Sequence, residues 1–550
     1  MSNNMASAEQ IATDYHERTK HHLHRYALSL GYLDWANQPD PFRRYGGAPR
    51  VRLARPEPLA QPYLDEIYTP ADVPAAELSA LTVAQLLFDS FALSAWKVSG
   101  ANRWPLRCNP SSGNLHPTEA YVVLPALPGV CARPAVHHYD VFEHALECRL
   151  PLADSEWQTL VERVPLGSFF VGLASIHWRE AWKYGERAYR YCQHDIGHAI
   201  AQLAYAAAAL GWHVRVLDGA GDAVVATLLG IDRQQGPEAE HPDALLLISP
   251  VVVGDGLSGG WTPRADVLAA LGEREHLGVA NTLSAEHAPW AVIDQVALAC
   301  LRESTPAASA ILSDSEYKYS LPQRSISARH VFRTRRSAVG MDGSSRLSLA
   351  DFARMVIRLL PGASVPWAAQ AWRPLIHPLL FVHRIEGLDA GVFLLCRDPQ
   401  CLPDFEARFG RLTAPDGKGD LPTGLPLYRL AETDVRDFAR TSNCHQDIAA
   451  DGAFSVAMLA EFERPIRESG AWMYRRMFWE AGMLGQVLYL EAEAAGMRGT
   501  GIGCFFDDVI HDAFGFSDRR FQSLYGFTVG GSLDDERLQT EPAYAHLDSR

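Results

Sequence analysis

The residues best suited to chemistry sit in PSSGNLHPTEAYVV, residues 110–123. Pro110, Gly113, Asn114 and Pro117 are turn formers, dense enough to hold a loop in one shape. Tyr121, Val122 and Val123 then make the aromatic and β-branched run of a buried strand. Ser111 and Ser112 bring two hydroxyls, Asn114 a carboxamide, and the turn several backbone N–H groups. That set suits a flat, polar-edged heterocycle, which needs donors and acceptors in its plane. Taken alone, the same residues also describe an ordinary surface turn before a strand.

A second cluster lies far downstream. Arg333, Arg335 and Arg336 stand ahead of SRLSLADFARMVIRLL, whose spacing predicts an amphipathic helix. Guanidinium forks bind a phosphate through paired hydrogen bonds, and a helix N-terminus would add a favourable dipole. Taken alone, the cluster also reads as an exposed basic patch. A phosphate site at one end and a ring site at the other describe a mononucleotide-type cofactor. GxGxxG and Walker spacings are absent, and GTGIG at 499–503 is too short for either. Cys444-His445-x-Asp447 is assigned no catalytic role, because neighbours in sequence do not easily reach a catalytic hydrogen-bond geometry. His16, His21, His22 and His24 fall in a stretch, 11–30, that reads as helix. No carboxylate or cysteine completes a metal spacing there, so a solvated basic face is expected and no metal.

The elements that must position these residues belong to a large chain. Its 550 residues, 47% hydrophobic and 10% aromatic, predict more than one globular domain. A formal charge of −15 argues against a nucleic-acid groove or an anionic membrane surface as partner. Nine cysteines without a CxxC pair suggest neither a zinc ribbon nor a disulfide framework. MSNNMASAEQ lacks the apolar core of a signal peptide, and no uncharged apolar run reaches membrane length, so a cytoplasmic, reducing compartment is expected. Helices are expected over about 79–96, 182–211 and 472–496. Strands are expected near 137–140, at 245–254, as a pair over 379–398, and at 523–531. Residues 255–325 read as a connector with some helix around 285–302.

The two halves repeat. Gly197 and Gly482, Gly211 and Gly496, and Gly230 and Gly515 each stand 285 residues apart. SALTVAQLL matches SRLSLADFA, Trp182-x-Tyr184 matches Trp472-x-Tyr474, and His116-Pro117 matches His377-Pro378. Two copies of one α/β unit follow, and two copies in a chain imitate a symmetric homodimer. In this alignment Arg335-Arg336-Ser337 falls opposite Thr69-Pro70-Ala71, where no cation stands. Ser111-Ser112-Gly113-Asn114 falls opposite Trp372-Arg373-Pro374-Leu375, where the hydroxyls and amide are gone. Pieces meeting across the pseudo-twofold would make one composite site and one dead site.

Together, Arg-Arg-Ser, PSSGNLHPTEAYVV and IGCFFDDVIHDAFGF resemble the nitroreductase-fold FMN oxidoreductases. YHERTKH and WKYGERAYRY resemble more narrowly the SagB/ThcOx-type dehydrogenases of that fold, which oxidise azoline rings to azoles in modified peptides. The resemblance implies an α+β chain of two tandem nitroreductase-like domains, packed as an intramolecular pseudo-dimer around one FMN. The divisions expected are an N-terminal helix and extended arm (1–60), a first domain (61–258), a connector (259–325) and a second domain (326–550). It further implies that Arg335, Arg336 and Ser337 hold the phosphate and the pyrimidine edge, and that Pro110, Ser111, Ser112 and Asn114 close over the ring. Ile502, Gly503 and Cys504 would lie against its dimethylbenzene and N5 side, although the Glu-Gly pair of many members is missing there. Arg537 would add a phosphate cation. Lys183-Tyr184 resembles the Lys-Tyr pair of azoline-oxidising members; a hydride leaving toward the flavin needs a group of lowered pKa to take the proton. The same aromatics would equally serve an interface. Three functions are open: an azoline dehydrogenase acting on a peptide, a nicotinamide-dependent nitro or quinone reductase acting on small molecules, and a non-catalytic scaffold in a peptide-modification complex.

Overall fold

A computed structural model describes residues 6–57, 59–69, 72–304, 319, 321–415 and 421–548. Two antiparallel sheets form its frame. The first runs in the order Arg50–Arg52, Ala145–Pro151, Ala135–Asp140, Thr118–Leu124, Phe169–Ile176, Glu240–Ser249, His213–Val216. The second runs Leu427–Glu432, Gly391–Leu395, Ile376–Val382, Phe454–Glu461, Phe521–Gly530, Arg498–Ile502. The last five strands of each list follow one topology, so the chain holds two copies of one α+β unit.

The copies meet on their longest helices, Ala188–Ala208 and Met473–Ala494. A methyl group on Gly197 would overlap the Trp479 carbonyl oxygen and sit 2.7 Å from its carbon. One on Gly482 would overlap the His194 oxygen and sit 3.0 Å from the Gly197 Cα. The paired glycines therefore mark the point where the two backbones touch. Tyr189 and Tyr474, also 285 residues apart, lie parallel at 6.5 Å beside that crossing. Gly230 and Gly515 end matching helices in the left-handed conformation, φ 72° and 69°.

Each terminus grips the other half. The N-terminal helix Ala8–Arg18 sets His16 on Phe462, ring centroids 4.4 Å apart. The C-terminal strand Gln539–Glu541 pairs with Leu93–Ser99, which forms a hairpin with Asn102–Arg107. Beyond it, Trp96 Nε1 donates to the Ala543 carbonyl at 2.8 Å.

Several expectations are corrected. The first helix stops at Arg18, and His16 and His21 are buried rather than solvated. The helix expected over 79–96 ends at Ser90, because LSAWKVS is drawn into the hairpin. The 182–211 helix is two, His177–Tyr184 and Ala188–Ala208, divided at Gly185 (φ 53°). Strand 245–254 begins earlier and ends at Ser249, leaving Val251 and Val252 exposed. GTGIG is mostly edge strand, Arg498–Ile502. The capping serines Ser79 and Ser348 are equivalent, so SALTVAQLL aligns three residues later than expected, and Tyr474 corresponds to Tyr189 rather than Tyr184. Pro70 and Ala71, and 305–318 of the connector, lie outside the described residues.

Candidate functional site

A cavity of about 760 Å³ opens between the halves. Its lining joins the two clusters: Pro110, Ser111, Ser112, Gly113 and Asn114 from one half, Arg335, Arg336 and Ser337 from the other. Ile502, Gly503 and Cys504 form a further wall.

The 110–114 loop is held from beneath by the first long helix. Asp195 accepts the Ser112 N–H at 3.0 Å and the Ser112 hydroxyl at 2.9 Å. Ser111 Oγ accepts the His116 N–H at 2.8 Å, and Asn114 Nδ2 donates to the Pro105 carbonyl at 2.8 Å. Gly113 has φ 58° and presses against the Tyr184 ring, where a Cβ would meet the hydroxyl at 2.5 Å. Burial raises Asp195 to about 7, against the lowering effect of the Ser111 and Ser112 bonds.

Cations gather at the other end. Arg335 and Arg336 follow the C-terminus of helix Ala328–Thr334 rather than leading into Leu349–Arg358. The dipole expected to assist an anion is therefore absent; that helix end favours cations. Arg335 donates to the carbonyls of Cys108 (3.2 Å) and Arg107 (3.0 Å), which ties the second half's cation to the first half's backbone. Arg336 donates to Arg333, Arg335 and Ser94 carbonyls. Burial, then the Arg335 charge, lowers Arg336 to about 10. Lys97 and Arg498 line the same end and are lowered too, by burial first and then by Arg336 and Arg335 respectively. Arg498 pairs with Glu493. Four cations therefore share this end of the cavity, with Asp534 acting on Lys97 and Arg498 and no carboxylate paired with Arg335 or Arg336 among the described residues. The Ser337 hydroxyl is 2.8 Å from that of Tyr489, which also accepts the Gly501 N–H at 3.0 Å.

The remaining expected residues divide. Tyr184 borders the cavity and Lys183 does not; the ammonium sits 5.2 Å from the centre of the Tyr184 ring. Burial, then Glu180, raises Tyr184 well above the usual phenol value, so it carries its proton. Arg537 is 84% exposed and its guanidinium is taken by Asp535 at 2.7 Å, outside the lining. Arg333 stacks on Phe88 at 3.6 Å instead of reaching the cavity. Sequence reasoning missed Lys97, Asp195, Tyr489 and Arg498. Arg498 abuts GTGIG, and Asp195 lies one turn past Tyr191 on the helix already singled out; Lys97 follows directly on the 79–96 stretch expected as helix, whose last residues belong to its strand.

YHERTKH and WKYGERAYRY interlock behind the wall. Tyr15 donates to the Glu186 carbonyl at 2.6 Å, and Arg190 donates to Thr19 Oγ1 at 2.9 Å. Arg187 and Arg190 both pair with Asp507, at 3.0 and 2.7 Å, which anchors the segment carrying Gly503 and Cys504.

The pseudo-symmetric counterpart of the cavity is almost closed, at about 30 Å³. Ala204 and His213 stand there, 285 residues before Tyr489 and Arg498. Glu480, the counterpart of Asp195, likewise accepts loop N–H groups, from Leu375 and Ile376 at 2.9 and 3.1 Å. Arg397 is buried against Glu480 and over the Trp367 ring.

The sequence profile of the nitroreductase family matches residues 67–240 and 422–531. No curated relative matches the chain by sequence. Among solved structures, a putative nitroreductase from Anabaena variabilis aligns with a TM-score of 0.67 at 21% identity, over 95% of this chain and 99% of its own. A putative nitroreductase from Ralstonia eutropha gives 0.27 at 14%, over 38% and 95%. The E. coli microcin synthetase McbBCD complex with truncated pro-MccB17 bound gives 0.27 at 20%, over 44% and 93%. The two profile regions, with the repeated topology, make the chain a tandem of nitroreductase-like domains packed as an intramolecular pseudo-dimer. Among the described residues no helix is long and apolar enough to cross a membrane.

Proposed function

The chain belongs to the nitroreductase family, and from that premise we propose that it is an FMN-dependent oxidoreductase with one composite site per chain. One observation carries the reading: cations of one half and the Ser-Ser-Gly-Asn loop of the other line a cavity of about 760 Å³, while its counterpart is about 30 Å³. The crowded cations fit a phosphate and the loop fits a planar polar edge, so the residues present suit the cofactor. Arg335, Arg336, Lys97 and Arg498 would hold the phosphate, Ser111, Ser112 and Asn114 the ring. FMN supplies reversible hydride transfer.

The chain's own part is to bind, orient and manage protons. Tyr184, protonated, would present a hydrogen-bond donor at the cavity wall. Asp195, near 7, is poised to hold or release a proton at neutral pH, which suits a general base better than Tyr184 does. A phenolate base at Tyr184, expected from the sequence, is disfavoured by burial. Lys183 would need to swing toward the cavity to act.

Within this reading the substrate is an azoline ring in a peptide, after the SagB-type resemblance of YHERTKH and WKYGERAYRY. The protonated Tyr184 gives a specific reason to keep the reverse chemistry, reduction of a nitro or quinone compound, as the second reading. Purified protein separates them. Arg336→Ala and Ser112→Ala should each weaken FMN binding at least tenfold in a fluorescence titration, although they lie in different halves. A protein that stays colourless with added FMN overturns the proposal. Rapid bleaching by a nicotinamide donor favours the reductase; bleaching by an azoline peptide favours the dehydrogenase.

A further inference from the structure

Two thiols from distant parts of the second half meet behind the cavity wall. Cys504 Sγ lies 2.9 Å from Cys444 Sγ, and both residues are half-buried. Cys504 also borders the cavity, so a small molecule there can reach it. The chain holds the pair deliberately. Cys444 and His445 both take left-handed backbone, φ 54° and 58°, a conformation that is unfavourable for such residues. Gln446 fastens the two segments by donating to the Asn443 carbonyl at 2.8 Å and the Cys504 carbonyl at 2.9 Å.

The surroundings distinguish the two sulfurs. His21 Nδ1 accepts the Ala27 N–H at 2.9 Å, so the neutral ring carries its proton on Nε2. That leaves Nε2–H as the ring's donor, and His21 acts to lower the Cys504 thiol. Arg187, fixed by Asp507, adds a positive charge on the same side. Hydrogen bonding from Cys444 lowers Cys504 against the raising effect of burial, with His21 and Arg187 adding to the lowering, whereas the bond to Cys504 raises Cys444. Tyr26 faces Cys444 and brings no positive charge. A thiolate beside a protonated thiol, within reach of a cavity, is the arrangement of an attacking and a resolving cysteine.

We propose that Cys504 and Cys444 form a redox-active dithiol that exchanges with small disulfides entering through the cavity. The Cys504 thiolate attacks one sulfur of the incoming disulfide. That S–S bond breaks, and one thiolate leaves with the electron pair and takes a proton from solvent. Cys444 then attacks Cys504 Sγ in the mixed disulfide and gives its proton to the second departing thiolate. One external disulfide becomes two thiols as the protein pair loses two electrons. Bond formation draws the sulfurs to about 2.05 Å, a small movement of the wall. The proposal requires the two sulfurs and the opening, not a flavin, so it stands or falls separately from the FMN reading.

The test equilibrates the full chain with reduced and oxidised glutathione, blocks free thiols and maps peptides by mass. A Cys444–Cys504 cross-link is expected, with Cys131 and Cys148, also half-buried, remaining free. Cys444→Ser should retain one glutathionyl group on Cys504, and Cys504→Ser should give no cross-link. Alkylation of Cys504 in the unchanged protein should hold its rate to lower pH than alkylation of Cys131, since an ordinary thiol loses about tenfold per unit below its own pKa. In His21→Gln the rate should fall at higher pH. No cross-link under oxidising glutathione, or Cys504 reacting no faster than Cys131 at pH 6, overturns the proposal.

Discussion

Replacing Gly197 or Gly482 by alanine sets two effects of opposite sign against each other. Within a helix, Gly→Ala ordinarily stabilises by about 0.8–1 kcal/mol. Here the new methyl meets the backbone of the other long helix, at 2.7 and 2.8 Å from the Trp479 carbon and Cα for Gly197. Backbone cannot rotate aside, so the helices must part. A gap of about 0.5–1 Å forfeits a quarter to a half of the dispersion energy along the contact, and overpacking alone costs about 1–3 kcal/mol or more. The steric term wins, and each variant should lose about 2 kcal/mol net. Gly256→Ala, helical but with open space around it, supplies the control and should be neutral or slightly stabilising. The double variant Gly197→Ala/Gly482→Ala should lose less than the sum, because one parting admits both methyls. Asp195 and His198 on one helix and Tyr489 on the other border the cavity, so FMN affinity should fall together with stability. Thermal melting beside a flavin titration reads both. Either single variant melting at or above the wild type would refute the claim that the halves meet backbone to backbone at these glycines.

Two other perturbations address the paired sites. Asp195 sits near 7 in the folded chain against an unfolded value near 4, so its stabilising contribution is full below about pH 4 and is lost as pH rises through 7, at up to about 1.4 kcal/mol per unit. Asp195→Asn removes that loss, so the variant should gain on the wild type from pH 5 to 8 in urea melts; parallel pH curves would count against it. Arg397→Leu leaves Glu480 buried without its ion-pair partner, at a loss of about 3–5 kcal/mol. Arg397→Leu/Glu480→Gln should recover most of it, and FMN stoichiometry should stay at one per chain, since Ala204 and His213 supply no replacement for Tyr489 and Arg498.

The repeat was readable in the sequence because its markers are backbone requirements. Gly211, Gly230, Gly496 and Gly515 are left-handed, and Gly197 and Gly482 are points of close approach, so a side chain is disfavoured at each and their spacing survives drift elsewhere. The Ser-Ser-Gly-Asn and Arg-Arg-Ser clusters were readable because their side-chain chemistry is dense. What escaped was whatever depends on a distant partner. LSAW at 93–96 continues a helical spacing, but the C-terminal strand Gln539–Glu541 pairs with Leu93–Ser99 as a strand. The histidines of 16–24 look like a polar face, but the other half buries two of them. The direction of the Arg335 helix end, the Asp195 tether and the meeting of Cys444 with Cys504 are all tertiary facts without local trace.

Fusing two copies also relaxes a constraint that a symmetric dimer carries. In a homodimer every residue acts twice, so a loop improved for one site is improved in both. Here Asp195 and Glu480 keep the same task, holding the N–H groups of the loop before the matching strand, yet their surroundings have diverged. Beside Asp195 the cavity is open and the carboxyl is left close to neutrality. Beside Glu480 an arginine and tryptophans occupy the space and the carboxylate is paired. The filled side adds packed interior at the seam between the halves, while on the open side Arg335, Arg336 and the 110–114 loop line a cavity. The asymmetry therefore divides labour within one fold: one pseudo-site holds the chain together so that the other can remain hollow.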